Sequence, residues 1–286
     1  FALVHISHSF MYQAEAAAAA ARYAAWRVAF RNNWFADSRE EEGSPHSLAA
    51  AAARREVSWY PLGLGPQWVA ISERISRGEI ALARASRRRH LVSFLGSTDK
   101  SDREERLGAL RAALQRAAAA LPPGGLASAV DTSLLVPRGR RACYGAACNE
   151  SGWVDDMLQS GTALHLPGSS PDSGRLWESL EAGAVPLLVE EFGPGEEAVG
   201  TACLYGEEAV RATRGALLPL VEAMGTPLPF VVVRTVDELA ALLQQLQADP
   251  ARLDALQERT RAWWAEVKRH FGSQLRGALC ARESRA

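Results

Sequence analysis

The sequence predicts an α/β fold organised as two parallel-sheet units, and three observations predict it. Short apolar runs alternate with helix-like segments along most of the chain, which is the grammar of parallel strands joined by crossover helices. Residues 169–189 read as a polar loop, a helix and a buried strand, half of a βαβ unit. Between two groups of strands, residues 72–89 turn basic and poorly periodic, which places the join near residues 84–90. The resulting division is residues 1–86, residues 87–250, and, over residues 251–286, a final helix expected to cross back over the first unit, with its tail.

In the first unit, Leu3-Val4-His5-Ile6 reads as a strand and residues 12–23 as an alanine-rich helix of high intrinsic propensity. Residues 26–30 read as a second strand, ending in Arg31-Asn32-Asn33-Trp34, a polar cluster of the kind found where a parallel strand opens onto a cleft. The segment that follows, with Glu40 to Glu42, Gly43 and Pro45, lacks a period and reads as an exposed insertion. Val57-Ser58-Trp59-Tyr60 is a third strand, running into the turn-rich Pro61-Leu62-Gly63-Leu64-Gly65. The arginine-rich run 84–89 reads as a solvated linker, since charge runs are mostly exposed.

The second unit opens with the buried-type strand His90-Leu91-Val92-Ser93-Phe94-Leu95, then Gly96-Ser97-Thr98-Asp99-Lys100 and a helix over residues 102–120. A glycine directly after a strand lets backbone amides approach a diphosphate, and Arg103 and Arg106 either add counter-charge or are solvated. Pro122-Pro123-Gly124-Gly125 breaks the chain before a strand region at 133–136. A helix over 153–160 and a strand over 162–167 lead to the helix that Asp172 or Ser173 caps. On that helix Leu176, Trp177 and Leu180 share one side, while Arg175 and Glu178, three residues apart, share another. Gly183 ends it, and Val185 to Val189 form a strand. An irregular acidic stretch over 190–208 precedes the strand around Phe230 to Val233. Thr235 caps a helix over 236–247, Asp249-Pro250 breaks it, and the last helix runs to about residue 271. Trp177, Trp263 and Trp264 are assigned to packing and not to sugar binding.

The 286-residue chain is 48% hydrophobic and 23% charged with a net charge of −1, so it has the composition of a globular protein and no global basic surface for nucleic acid. No apolar run approaches the ~20 residues of a membrane span. Cys143 and Cys148 can pair or stay as thiols, and neither has the spacing of a zinc site. Asn149-Glu150-Ser151 is a glycosylation sequon for a chain that enters a secretory compartment. The start at Phe1, directly before a strand, reads as a fragment whose N-terminal unit is truncated.

The chemistry concentrates at Arg175 and Glu178. A free helix N-terminus presents unpaired amides and a positive dipole end to a phosphate, and an acid one turn on can accept hydrogen bonds from a sugar hydroxyl. These residues therefore point to a nucleotide site.

The run Leu164-His165-Leu166-Pro167-Gly168, followed by Asp172-Ser173-Gly174-Arg175-Leu176-Trp177-Glu178-Ser179-Leu180-Glu181-Ala182-Gly183-Ala184-Val185-Pro186, resembles the C-terminal signature of exostosin-type glycosyltransferases. Arg31-Asn32-Asn33-Trp34, Pro61-Leu62-Gly63 and Val92-Ser93-Phe94-Leu95-Gly96-Ser97 follow in that family's order, and the chain also resembles its ribitol xylosyltransferase branch. The resemblance implies a GT-B fold: two Rossmann-like domains facing a cleft, a nucleotide-sugar in the C-terminal one, and inversion at the anomeric carbon. Carried over, Glu178 would hold the donor ribose, with Ser173, Gly174 and Arg175 at the diphosphate and Gly96, Ser97 and Arg103 opposite. His5 and His8 are the candidate general bases. No Asp-x-Asp occurs, so metal independence and no cofactor beyond the nucleotide-sugar substrate are expected. The implied partners are a UDP-sugar and a glycan or glycoprotein acceptor, with a homo- or hetero-dimer allowed and no nucleic acid. The implied compartment is the Golgi lumen behind a type II anchor outside this sequence, or the cytoplasm for a bacterial chain. The alternatives are a non-catalytic exostosin-like subunit that stabilises an active transferase, and a Rossmann-like oxidoreductase, against which the missing G-x-G-x-x-G counts.

Overall fold

The computed structural model describes residues 2–5, 28–31, 57–59, 64, 66–95, 103–119, 150–166, 174–191, 217, 221 and 224–280. The helix expected over 12–23, the insertion after Trp34, the strand region at 133–136, the Cys143–Cys148 pair and most of the acidic stretch lie outside them.

The chain is α/β, with two parallel sheets. Strands β1 (Ala2–His5), β2 (Val28–Arg31) and β3 (Val57–Trp59) form one sheet in that order. Leu3 pairs with Ala29 and Phe30 with Ser58, all in parallel register. The second sheet contains β4 (His90–Ser93), β5 (Ser160–Leu164), β6 (Val185–Glu191) and β7 (Val231–Thr235), again in sequence order and parallel throughout.

The described helices are α1 (Pro66–Ser76), α2 (Arg103–Ala119), α3 (Glu150–Leu158), α4 (Gly174–Glu181), α5 (Val236–Ala248) and α6 (Pro250–Cys280); α2 and α3 lie in the crossover from β4 to β5, and α4 in that from β5 to β6. The main core joins Leu107, Leu110 and Leu114 of α2 to Leu239, Leu243 and Leu246 of α5, over Val92, Val185, Leu187 and Val189 of the sheet. Leu239, Leu243 and Leu246 are fully buried, and burying each side chain contributes about 1.5–3 kcal/mol. A second cluster gathers Trp68 of α1, Trp153 and Met157 of α3, and Ala182.

The expected helix boundaries are set by capping. The Thr235 hydroxyl accepts from the Glu238 amide at 3.1 Å, and the Asp249 carboxylate accepts from the Arg252 amide at 3.0 Å, with Pro250 opening α6. At the end of α4 the Ala184 amide donates to the Ser179 carbonyl and the Gly183 amide to the Leu180 carbonyl, a Schellman closure. It needs the left-handed backbone that Gly183 adopts at φ 68°.

The basic run departs from expectation. Residues 66–76 form α1, whose Trp68, Ile71 and Ile75 recur at helical spacing with Pro66 at the first position. Residues 83–88 are docked, not a solvated linker. Gln257 of α6 accepts from the Ala85 amide at 2.8 Å and donates to the carbonyls of Ala83 and Gly183. Asp254 accepts from the Ser86 amide and hydroxyl, both at 2.9 Å. Arg88 is buried and donates to the carbonyls of Ser160 at 2.8 Å and Ala83 at 3.1 Å. Burial, and then the like charge of Arg261, lower its guanidinium to about 10. Arg84, Arg87 and Arg89 do face solvent. Counting charges did not distinguish the one arginine whose fork finds carbonyl partners from its exposed neighbours.

The last helix is longer than expected, reaching Cys280, and packs on α4, α5, β6 and the 3₁₀ turn Ala85–Arg87. Among the described residues no helix is long and apolar enough to cross a membrane.

Candidate functional site

Parallel α/β sheets collect ligands outside the carboxyl ends of their strands, and the cavity of interest lies there. Ser93, Phe94 and Leu95 at the end of β4 line it, with His165 and Leu166 just beyond β5, Met157 of α3, and Arg175 and Ser179 of α4. Its cavity volume is about 30 Å³.

Helix α4 brings its charged residues to this place by anchoring its other side. Leu176, Trp177 and Leu180 are almost fully buried, and the Trp177 ring meets Trp264 of α6 at 5.5 Å between centroids. All three tryptophans assigned to packing are therefore core residues. With that stripe fixed, the first turn of α4 presents Arg175 toward the sheet end.

Arg175 sits between two partners. Its guanidinium forms an ion pair with the Glu178 carboxylate, and its Cζ lies 4.1 Å from the centroid of the Trp153 ring. The Arg175 side chain keeps 24% of its exposure and that of Glu178 only 6%. The pair is therefore not a solvated surface contact. Glu178 faces Arg175 and is not among the residues lining the cavity, whereas Arg175 is.

Two cavity residues, Ser93 and His165, carry no role that the sequence pattern shows. Ser93 is buried, and its hydroxyl has no partner among the described residues. His165 is also buried, and its backbone amide donates to the Leu187 carbonyl at 2.9 Å. Their signal is positional: each occupies the end of a parallel strand or the residue after it, where side chains reach the crevice.

Of the residues expected at a donor, Gly174, Arg175 and Glu178 are brought together on α4. His8, Gly96, Ser97 and Ser173 lie outside the described residues, as do the side chains of His5, which ends β1, and Arg103, which begins α2. Among the described residues no group of three or more His, Cys, Asp or Glu is placed to hold a metal ion.

A separate polar cluster secures α4 from behind. The buried Glu181 carboxylate accepts from the Ser72 hydroxyl of α1 at 2.8 Å, from the Trp264 indole N–H, and from Lys268 Nζ at 2.8 and 3.0 Å.

No family model matches the chain, and no curated protein matches it. Among solved structures it is similar to the crystal structure of WaaG, a glycosyltransferase involved in lipopolysaccharide biosynthesis, at 16% identity and a TM-score of 0.37. That likeness covers 73% of this chain and 52% of the other, so this chain spans about half of it.

Proposed function

We propose that this chain is an exostosin-like glycosyltransferase of the GT-B type that moves a sugar, with inversion, from a UDP-sugar to a hydroxyl of a glycan acceptor. One observation carries the reading: the stretch that resembles the exostosin signature supplies a helix whose first turn, bearing Gly174 and Arg175, meets the carboxyl ends of β4 and β5 at a cavity. In the reaction the acceptor oxygen bonds to the anomeric carbon, the bond from that carbon to the diphosphate breaks, and the hydroxyl proton passes to a general base. His5 and His8 are the residues proposed for that base. The departing diphosphate gains negative charge, which the α4 amides and the Arg175 guanidinium would stabilise.

The same chemistry makes a divalent cation dispensable. A chelator should leave activity intact; activity that vanished with chelator and returned with manganese would contradict this. The decisive assay measures UDP release from a panel of UDP-sugars, with Glu178→Ala as control. Release by the parent and loss in the variant support the reading, and equal release refutes the assignment of Glu178. A second reading, a non-catalytic subunit, is favoured by one observation: the Glu178 carboxylate is already engaged by Arg175. Under it, UDP binds and no sugar is transferred.

A further inference from the structure

The Arg175 guanidinium is confined by a carboxylate on its own helix and by the ring of a residue on α3. The ring is held in turn. Trp153 is 3% exposed and packs against Trp68 of α1, with ring centroids 5.8 Å apart and planes inclined at 56°. Neither indole N–H has a partner among the described residues. Among the described residues both rings are therefore held by packing and not by hydrogen bonds. A cation over an indole face is attracted by the ring quadrupole without any charge being neutralised. The indole thus leaves the guanidinium's full positive charge available to an anion, whereas the Glu178 carboxylate competes for it.

We propose that Trp153 is a positioning residue: its ring holds the Arg175 guanidinium at the cavity when a ligand phosphate takes the place of Glu178. This rests on the nucleotide reading of the site. When the ion pair with Glu178 exchanges for a phosphate, the long arginine side chain loses its intrahelical tether and would otherwise sample many rotamers. The ring, anchored through Trp68, preserves one orientation across that exchange. Sequence spacing could not show this, because Trp153 and Arg175 belong to separate helices and meet only in the folded chain.

The test is a double-mutant cycle on UDP affinity, measured by calorimetry with Trp153→Leu, Trp153→Phe, Arg175→Ala and the double variant Trp153→Leu/Arg175→Ala. Trp153→Leu should weaken UDP binding by about 5- to 20-fold, the range for a partly desolvated cation–π contact. Trp153→Phe, which keeps a ring, should stay within about threefold of the parent. In the Arg175→Ala background the leucine change should cost nothing further. A loss that persists there shows that Trp153 acts through packing alone, and unchanged affinity in Trp153→Leu overturns the inference while leaving the nucleotide reading intact.

Parent protein that does not bind UDP overturns the nucleotide reading instead. The positioning claim is then decided by nuclear magnetic resonance of the Arg175 Nε–H group, which does not need a ligand. Ring current from the indole should move that proton upfield in the parent and in Trp153→Phe, and release it in Trp153→Leu. An unshifted proton in the parent would refute the positioning role.

Discussion

Glu181 is the residue whose removal tests the packing around the site most sharply. Changing it to alanine strips the Trp264 indole N–H of its acceptor in a buried setting, which costs about 1–3 kcal/mol. The Ser72 hydroxyl is partly exposed and can turn to water, so its share is about 0.5 kcal/mol. Lys268 keeps 43% of its side-chain exposure, so its ammonium stays hydrated and the ion pair contributes at most about 1 kcal/mol. The expected loss is about 3 kcal/mol, at the low end for breaking a buried pair because one partner reaches solvent. Glu181→Gln retains an acceptor for Trp264 and should lose about half as much. Urea unfolding followed by circular dichroism and tryptophan fluorescence gives both values from midpoint and slope. Glu181→Ala within about 0.5 kcal/mol of the parent would refute the reasoning, since that is the range of ordinary surface changes.

Gly183→Ala should cost about 1–2 kcal/mol in the same assay, because φ is 68° and a Cβ would lie 3.2 Å from Arg88 and 3.3 Å from Leu82 and Arg261. Arg88 has a lowered folded-state value, so its penalty is present in full at neutral pH and is relieved as pH rises through about 10. The stability of the parent relative to Arg88→Met should therefore increase by about 1 kcal/mol between about pH 9 and about pH 11, and a flat difference would contradict the burial of a charged Arg88. Ser93→Ala removes a buried hydroxyl without a partner among the described residues, so it should leave thermal stability unchanged or raised while weakening UDP binding several-fold. A destabilised variant with normal affinity would place that hydroxyl in the scaffold and not in the site.

Much of the second unit was legible because its signals are local. Thr235, the Asp249-Pro250 pair and Gly183 mark helix ends through backbone hydrogen bonds that need only neighbouring residues. The buried stripe Leu176, Trp177 and Leu180 follows from helical spacing alone. The misreadings share a different cause. Helix α1 is short and runs directly into the charged stretch after Ser72, which masks its period, and residues 83–88 are held by Gln257 and Asp254 from far along the chain. No periodicity in 72–89 reports such partners. The site divides in the same way: Arg175 and Glu178 are visible as neighbours on one helix, whereas Trp153, Ser93 and the Glu181 cluster acquire their roles only through contacts between distant elements.

The central claim is that a nucleotide diphosphate binds at the first turn of α4, and amide hydrogen exchange with and without UDP tests it most directly. The account predicts slower exchange over residues 174–181 when UDP is present, with that protection absent in Arg175→Ala. UDP-dependent protection confined to other segments, or equal protection in Arg175→Ala, would contradict it.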